Sequence, residues 1–533
     1  MQGSILALAG IISKIIGFLY RIPMANLMGN TGNGLYSVAF GIYNVALTLS
    51  SYSMPLAVSK LLSARLARNE YKNAHRMFVR ALLFALVTGS MACLALYFGA
   101  DTLAEFYHKK GLERPLRVLA PTTFIVALLG TCRGYFQGRK NMVPTAISQV
   151  LEQIVNAIVS IVATAAFVAS CPYDGEEASF GAMGGTMGTL AGAAVALIFI
   201  VFLLLRQRKN VAQELQHEDE GDEDSALMYK AILFTVLPVI LSQTTYQIGY
   251  TIDDYVFALQ MNAKGFTEEQ VTIWQGIFNT QYNQLINLPV AIATAMAAAT
   301  LPSVVASFAV KKYEEVQHKM DIVMKISMLI AIPSAVGLAV LADPILKVLF
   351  PGLGEYHSVG VNLLLTGSSA IIFYSLSTQT TSILQGCNRM RTPLIHSAIS
   401  LIIHIFIITV LLYFTDLGVY ALIIGNVTFP MLVSILNVIS LRTKFGFRME
   451  MTNTVGKPLA AAMVMGLVTW PLYGALSKLL ENVLSEKAVT ICALVVALVI
   501  ACLVYFVMLG LLRAFRREEL AQLPLIGKRF QKK

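Results

Sequence analysis

The chain has 533 residues, of which 56% are hydrophobic and 13% charged, with a mean hydropathy of +0.68 and a formal net charge of +10. A soluble domain carries about 25% charged residues, so a soluble fold is excluded. Apolar runs of the roughly 20 residues needed to cross hydrocarbon recur along the whole length, and none alternates with the two-residue period of a barrel strand. The fold class expected is therefore all-α integral membrane, with about fourteen transmembrane helices that satisfy their own backbone groups.

The expected spans are 5–27, 34–58, 80–99, 115–132, 143–169, 182–205, 228–250, 276–308, 322–341, 359–384, 393–414, 418–440, 457–476 and 488–512. The first lacks a basic leader and a cleavage site and carries Lys14 and Arg21, so it reads as a retained helix and not as a signal peptide. A charge at mid-bilayer costs about 2.5 to 3.5 kcal/mol and needs a reason. Lys14 and Arg21 are seven residues apart, on one helical face and about 10 Å apart along the axis. They either line a hydrated cavity or snorkel to the interface, a course open to Arg21 and poor for the deeper Lys14.

Helix 2 adds Asn44, Thr48 and Ser51 at helical spacing. Helix 5 carries Gln149, Glu152 or Gln153, and Asn156 along one face; Glu152 is expected to pair with a basic residue, as a structural pair or as a movable counter-ion. Gly184, Gly188 and Gly192 on helix 6 form a double GxxxG, a signal for close helix packing and not a phosphate loop. From Arg206 to Asp224 the chain turns from basic to acidic and reads as a solvated linker.

Helix 7 brings Gln243, Gln247 and Tyr250, with Asp253 and Asp254 at its far end as interfacial residues, a cation site or a gate. Helix 8 brings Asn279, Asn283, Gln284 and Asn287. These polar stripes on helices 1, 2, 7 and 8 argue for a shared water-filled cavity, against the alternative of interhelical hydrogen bonds in a dry core. His396 and His404 on helix 11 read as hydrogen-bonded packing residues, and Pro55, Pro289 and Pro302 as bends. The six cysteines show no metal or disulfide spacing, and neither catalytic nor metal-binding residues are expected.

Of the 40 Lys and Arg residues, 30 fall in one set of alternate loops with their flanks and 8 in the other. The positive-inside rule then puts both termini in the cytoplasm, and the net charge is a topogenic signal toward anionic lipid with no nucleic-acid role. The two halves resemble each other. QGRKNM at 137–142 recurs as QGCNRM at 385–390, and Gly34 and Gly276 each precede a loop tyrosine, Tyr71 and Tyr313, by 37 residues. The expected organisation is an N-lobe at 1–205, a charged cytoplasmic linker at 206–227, a C-lobe at 228–440, and two further helices with a basic cytoplasmic tail at 441–533. Six helices per copy give two parallel-repeat lobes, with a substrate site expected where they face each other.

SKIIGFLYRIP at 13–23, the stretch from Leu288 through LPS at 301–303 to IPSAVGL at 332–338, and the two QGxxxM repeats resemble the MOP superfamily of exporters, and within it the polysaccharide-flippase branch of SpoVB and YtgP proteins, related to MurJ lipid II flippases. The resemblance spans nearly the whole chain. It implies two lobes around a cationic cavity that carries an undecaprenyl-diphosphate-linked glycan precursor to the outer leaflet of a bacterial plasma membrane by alternating access. Lys14 falls on the basic position of the MurJ helix-1 motif, and Gly17 and Phe18 on its Gly-Phe. Tyr20 stands where MurJ has arginine, with Arg21 one residue later, and Gln284 occupies its helix-8 arginine position. The basic N-terminal tail usual in the family is missing, which implies an incomplete start.

The expected partners are the polyprenyl-diphosphate-linked glycan and membrane lipids, with a monomeric chain and no cofactor. Coupling to membrane potential or to a monovalent cation is open. No GxxxxGK[ST] loop is present, so ATP is not expected to drive transport. The competing readings are a cation-coupled multidrug exporter of the same superfamily, which needs acidic cavity residues, and a membrane glycosyltransferase or polymerase, which needs a large external loop. A non-transporting scaffold would need no intramembrane charge.

Overall fold

The computed structural model describes residues 2–51, 53–216, 221, 223–309, 312–387, 389, 391–447, 449–482 and 484–514. Every regular element among them is helical, and the chain divides into two compact units, Met1–Thr280 and Gln281–Lys533.

The first unit contains α1 (Gln2–Ser50), α2 (Met54–Leu66), α3 (Tyr71–Phe106), α4 (Glu113–Gly138), α5 (Val143–Ala169), α6 (Glu177–Arg206), the short α7 (Arg208–Glu214), α8 (Ser225–Ala263) and α9 (Glu268–Gly276). The expected loop between the first two spans is absent. At 49 residues α1 is about 74 Å long by helical rise, more than twice the hydrocarbon thickness, and it bends at one residue, Gly29, with φ 72° and ψ 176°. Glycine adopts that left-handed φ without a Cβ clash. The bend strips carbonyls of their helical partners, and the buried Asn33 replaces them by donating its side-chain amide to Ala25 O and Gly29 O, both at 2.8 Å. The real break comes at 51–53, before Pro55 in the first turn of α2, where a missing N–H costs nothing.

The glycines of α6 bring α5 and α6 together. A Cβ on Gly188 would lie 2.0 Å from Ser160 Oγ, and one on Gly192 2.5 Å from Glu152 O. Two apolar cores fill this unit. One joins α2, α3, α4, α6 and α8 around Leu62, Met77, Phe136, Ile200 and Ile232; the other joins α1, α3 and α4 around Met24, Tyr36, Leu96, Leu116 and Leu119. The acidic linker is not simply solvated, because Glu214 pairs with Arg139 and Glu223 with Arg65.

The second unit contains α10 (Asn283–Ala309), α11 (Tyr313–Val340), α12 (Ala342–Leu349), α13 (His357–Gly367), α14 (Ala370–Gly386), α15 (Arg391–Phe414), α16 (Tyr420–Phe445), α17 (Lys457–Leu480) and α18 (Glu486–Leu511). Its core gathers Val316, Met320, Met324, Ile383, Leu384 and Leu441. His396 Nδ1 lies 2.7 Å from Asn437 Oδ1, and His404 Nδ1 3.1 Å from Gly425 O.

Ten helices among the described residues are long and apolar enough to cross a membrane, or eleven if the bent pair around α13 and α14, at 47°, is one span. The expected span at 228–250 lies in α8 and that at 276–308 mostly in α10, outside that set, and the first two fall in one stretch, Leu8–Leu66, that runs through α1 into α2. Met91, Phe98, Val162, Ile198, Phe406 and Phe506 are exposed on helix faces, an outer surface that suits lipid.

Candidate functional site

The interior of the first unit holds charge inside helices. Ser148 and Glu152 lie one turn apart on α5 and receive the same arginine: Arg133 Nε donates to Ser148 Oγ at 2.9 Å and Nη2 to Glu152 Oε2 at 2.8 Å. The Arg133 and Glu152 side chains are 13% and 21% exposed, so the ion pair sits largely out of water and each ion depends on the other. Tyr43 stands beside Glu152. One turn further, Asn156 Nδ2 donates to the Tyr20 hydroxyl at 3.2 Å, and Ser160 Oγ lies 2.9 Å from Asn156 Oδ1 and 2.8 Å from Gly185 O. The close approach of α6 at Gly188 is what encloses this polar row.

The two cations of α1 have different surroundings. Lys14 is exposed and makes no ion pair among the described residues, while Arg21 is half-buried against the phenols of Tyr20 and Tyr36. Gly17, between them, faces Gln153: a Cβ there would lie 3.6 Å from its Oε1. Asn44 is half-buried, and the buried Thr48 hydroxyl donates to Asn44 O at 2.8 Å, which spends its proton on its own helix. Gln247 is half-buried, and the Gln243 side chain lies outside the described residues.

A second cluster forms where α8 meets α9. Asp254 is buried, accepts from Asn279 Nδ2 at 2.9 Å, and gives its backbone carbonyl to Gln275 Nε2 at 2.7 Å. Asn279 lies in a widened helical turn, Ile277–Tyr282, a deformation that recurs at functional positions. Lys109 enters from the loop after α3, buried, with Nζ donating to Thr272 Oγ1 at 2.7 Å. Burial pushes its ammonium down to about 8, against the opposing pull of Asp254 and Glu268. Asp253 beside it is half-buried.

In the second unit, Asn283 Oδ1 accepts from Asn426 Nδ2 at 3.4 Å, and the neighbouring Tyr282 hydroxyl donates to Gly367 O at 2.9 Å. Gln284 is buried, and Asn287 is exposed. The structure thus sorts the residues singled out by sequence into three local settings: Arg21 and Glu152 inside the first unit, Asp253, Asp254 and Asn279 around the end of α8, and Asn283, Gln284 and Asn287 at the start of α10.

Arg133, Tyr36 and Lys109 were missed. Arg133 was legible in principle, because an antiparallel hairpin turning at 139–142 sets residue 133 opposite the stretch that holds 148 and 152. No sequence signal marked Lys109 as buried.

Residues 2–308 match the family model described as polysaccharide biosynthesis protein, and residues 281–410 match the MatE model. The chain is 25% identical over 525 residues to Stage V sporulation protein B of Bacillus subtilis (strain 168), covering 98% of this chain and 97% of that one. It is 26% identical over 412 residues to Lipid II flippase MurJ of the same organism, covering 75% and 74%. Among solved structures, lipid II flippase MurJ in an inward closed conformation superposes with a TM-score of 0.69 at 14% identity, over 95% of this chain and 98% of that one. A multidrug resistance MATE family transporter of the MOP superfamily, facing inward, superposes at 0.67 and 17% identity, over 81% and 94%. With its many apolar helices this is a multi-pass membrane protein. The chain belongs to the polysaccharide biosynthesis protein family and is similar to Stage V sporulation protein B and MurJ.

Proposed function

We propose that this protein is a flippase, a transporter and not an enzyme, that moves an undecaprenyl-diphosphate-linked glycan precursor from the cytoplasmic to the outer leaflet of a bacterial plasma membrane by alternating access. Both termini lie in the cytoplasm, where the basic loops meet anionic lipid. The observation that carries the reading is Lys14, an exposed cation with no ion pair among the described residues, about 18 Å into α1 by helical rise and two turns before Arg21. Bare positive charge at that depth is costly unless an anion visits it. A diphosphate answers that need. Carrying about two negative charges out of a negative interior, it runs downhill by about 4 to 5 kcal/mol at 100 mV.

Lys14 and Arg21 attract the diphosphate, and Asn44, Gln243, Gln247, Asn279, Asn283, Gln284 and Asn287 offer amides for sugar or peptide. Thr48 lines the same helix with its proton already used. The drive is the membrane potential or a monovalent cation, and the working unit is one chain. The multidrug-exporter reading asks for a carboxylate free to take a cation; Glu152 is held by Arg133, and the buried Asp254 already accepts from Asn279. Complementation of a flippase-depleted strain tests the proposal. Lys14→Ala and Arg21→Ala are expected to abolish rescue at normal expression, and full rescue by both would remove the role given to these cations.

A further inference from the structure

The linker that joins α6 to α8 is docked, and the groups that hold it are those that bind phosphate. Arg139 donates from Nη1 and Nη2 to the two carboxylate oxygens of Glu214, at 2.8 and 2.5 Å. Arg65 directs Nε and Nη2 at one oxygen of Glu223, Nε at 3.1 Å. Asn73 clamps the backbone between, donating to Gly221 O at 2.7 Å and accepting from Glu223 N at 3.1 Å. Gly138 meets Leu62 where α4 and α2 cross, one residue before Arg139 and three before Arg65, so the two guanidinium groups flank a single crossing.

Each arginine also has a hold outside the linker. Arg65 Nη1 donates to Leu61 O at 2.9 Å, and Arg139 lies over the Tyr135 ring, 4.8 Å from its centroid, with His75 alongside. Their side chains are 10% and 23% exposed. A planar fork held this way fits carboxylate and phosphate equally well. If the carboxylates withdrew, the two guanidinium groups, held by Leu61 O and the Tyr135 ring, would present their forks to solvent, open to another anion of the same geometry. Both arginines belong to the basic loop set, which faces anionic headgroups, whereas the seven carboxylates between 214 and 224 are repelled by that same leaflet.

We propose that Arg65 and Arg139 form a binding site for lipid phosphate at the basic face of the first unit, and that Glu214 and Glu223 occupy it as an internal competitor. Lipid and linker exclude each other. Asp224 caps α8, accepting from Ala226 N at 3.2 Å, and Met228 and Ile232 keep the start of α8 in the core, so occupancy by lipid releases the linker and leaves α8 in place. The inference uses the orientation proposed above and is independent of which lipid is transported.

The test uses the full-length chain in phosphatidylcholine nanodiscs, with retained lipid counted by native mass spectrometry as phosphatidylglycerol is titrated in, and a parallel arm with a polyprenyl diphosphate. E214Q/E223Q is expected to hold the phosphate lipid about tenfold more tightly than wild type, the equivalent of releasing one charge-assisted contact. R65Q/R139Q in that background should erase the gain. R65K/R139K, which keeps charge but loses the fork, replaces it should the glutamine variant fail to fold. A gain in the first arm identifies a bulk phospholipid and a gain in the second the polyprenyl class; either supports the site. Equal retention by wild type and E214Q/E223Q, or a gain that survives the arginine substitutions, would overturn it. A gain accompanied by absent lipid translocation would count against the flippase reading alone.

Discussion

Arg133 and Glu152 offer the sharpest energetic test of the first unit's interior. Arg133→Gln leaves the Glu152 carboxylate with its principal cation gone, and Glu152→Gln strands the guanidinium on Ser148 alone. Removing one partner of a buried pair costs about 3 to 5 kcal/mol. With the side chains 13% and 21% exposed, some water reaches the site, so the lower end applies, about 3 kcal/mol for each single change. The two amides of R133Q/E152Q can hydrogen-bond each other, so the double variant should lose no more than either single one, a coupling of about 3 kcal/mol. Equilibrium unfolding in mixed micelles measures all four corners of this cycle. Single losses under about 0.5 kcal/mol that simply add in the double variant would refute the reasoning. The same set also separates the two roles open to Glu152. A structural pair predicts that the double variant transports as wild type, and a movable counter-ion predicts a folded, inactive protein.

Three further outcomes follow from the geometry. Asn33→Ala removes the donor shared by Ala25 O and Gly29 O at the α1 bend and should cost about 1 to 3 kcal/mol in the same unfolding assay. Gly188→Leu drives a side chain into Ser160 and the Asn156 carbonyl, 2.0 and 2.5 Å from where its Cβ would lie, and should prevent accumulation of folded protein in membranes, whereas Gly10→Leu, with open space around it, should not. For Lys109, whose ammonium is held down at about 8 by burial, the unfolded chain binds the extra proton between about pH 8 and 10.4, so stability rises with pH across that window and carries a constant penalty below it. Thermal midpoints of wild type should therefore climb relative to Lys109→Met between pH 8 and 10, and parallel curves would show that the ammonium is not desolvated.

Much of the fold was legible because membrane helices announce themselves by composition: most expected spans fall on helix, while those at 34–58 and 359–384 run across a break between two helices. Glycine and asparagine misled at 28–34, where MGNTGNG has the composition of a loop; one glycine turns the helix, and the Asn33 side chain repairs the carbonyls that the turn exposes. Prolines misled in the opposite sense, since Pro55 opens α2 instead of bending a span. Lys14, Arg21 and Glu152 stood out because charge in an apolar run has few explanations. Arg133 did not, because the helix was expected to end at 132 and runs on to Gly138. Lys109 and the docking of the linker depend on which loops meet in space, and no local pattern encodes that.

The central claim is that a lipid-linked diphosphate crosses the membrane on this protein, drawn by the cations of α1. Translocation of a fluorescent undecaprenyl-diphosphate glycan in proteoliposomes, with a potential imposed by a potassium gradient, tests it most directly. The account predicts transfer above protein-free vesicles, faster when the donor side is negative and lost in Lys14→Ala/Arg21→Ala. Transfer no faster than in empty vesicles at either polarity would contradict it.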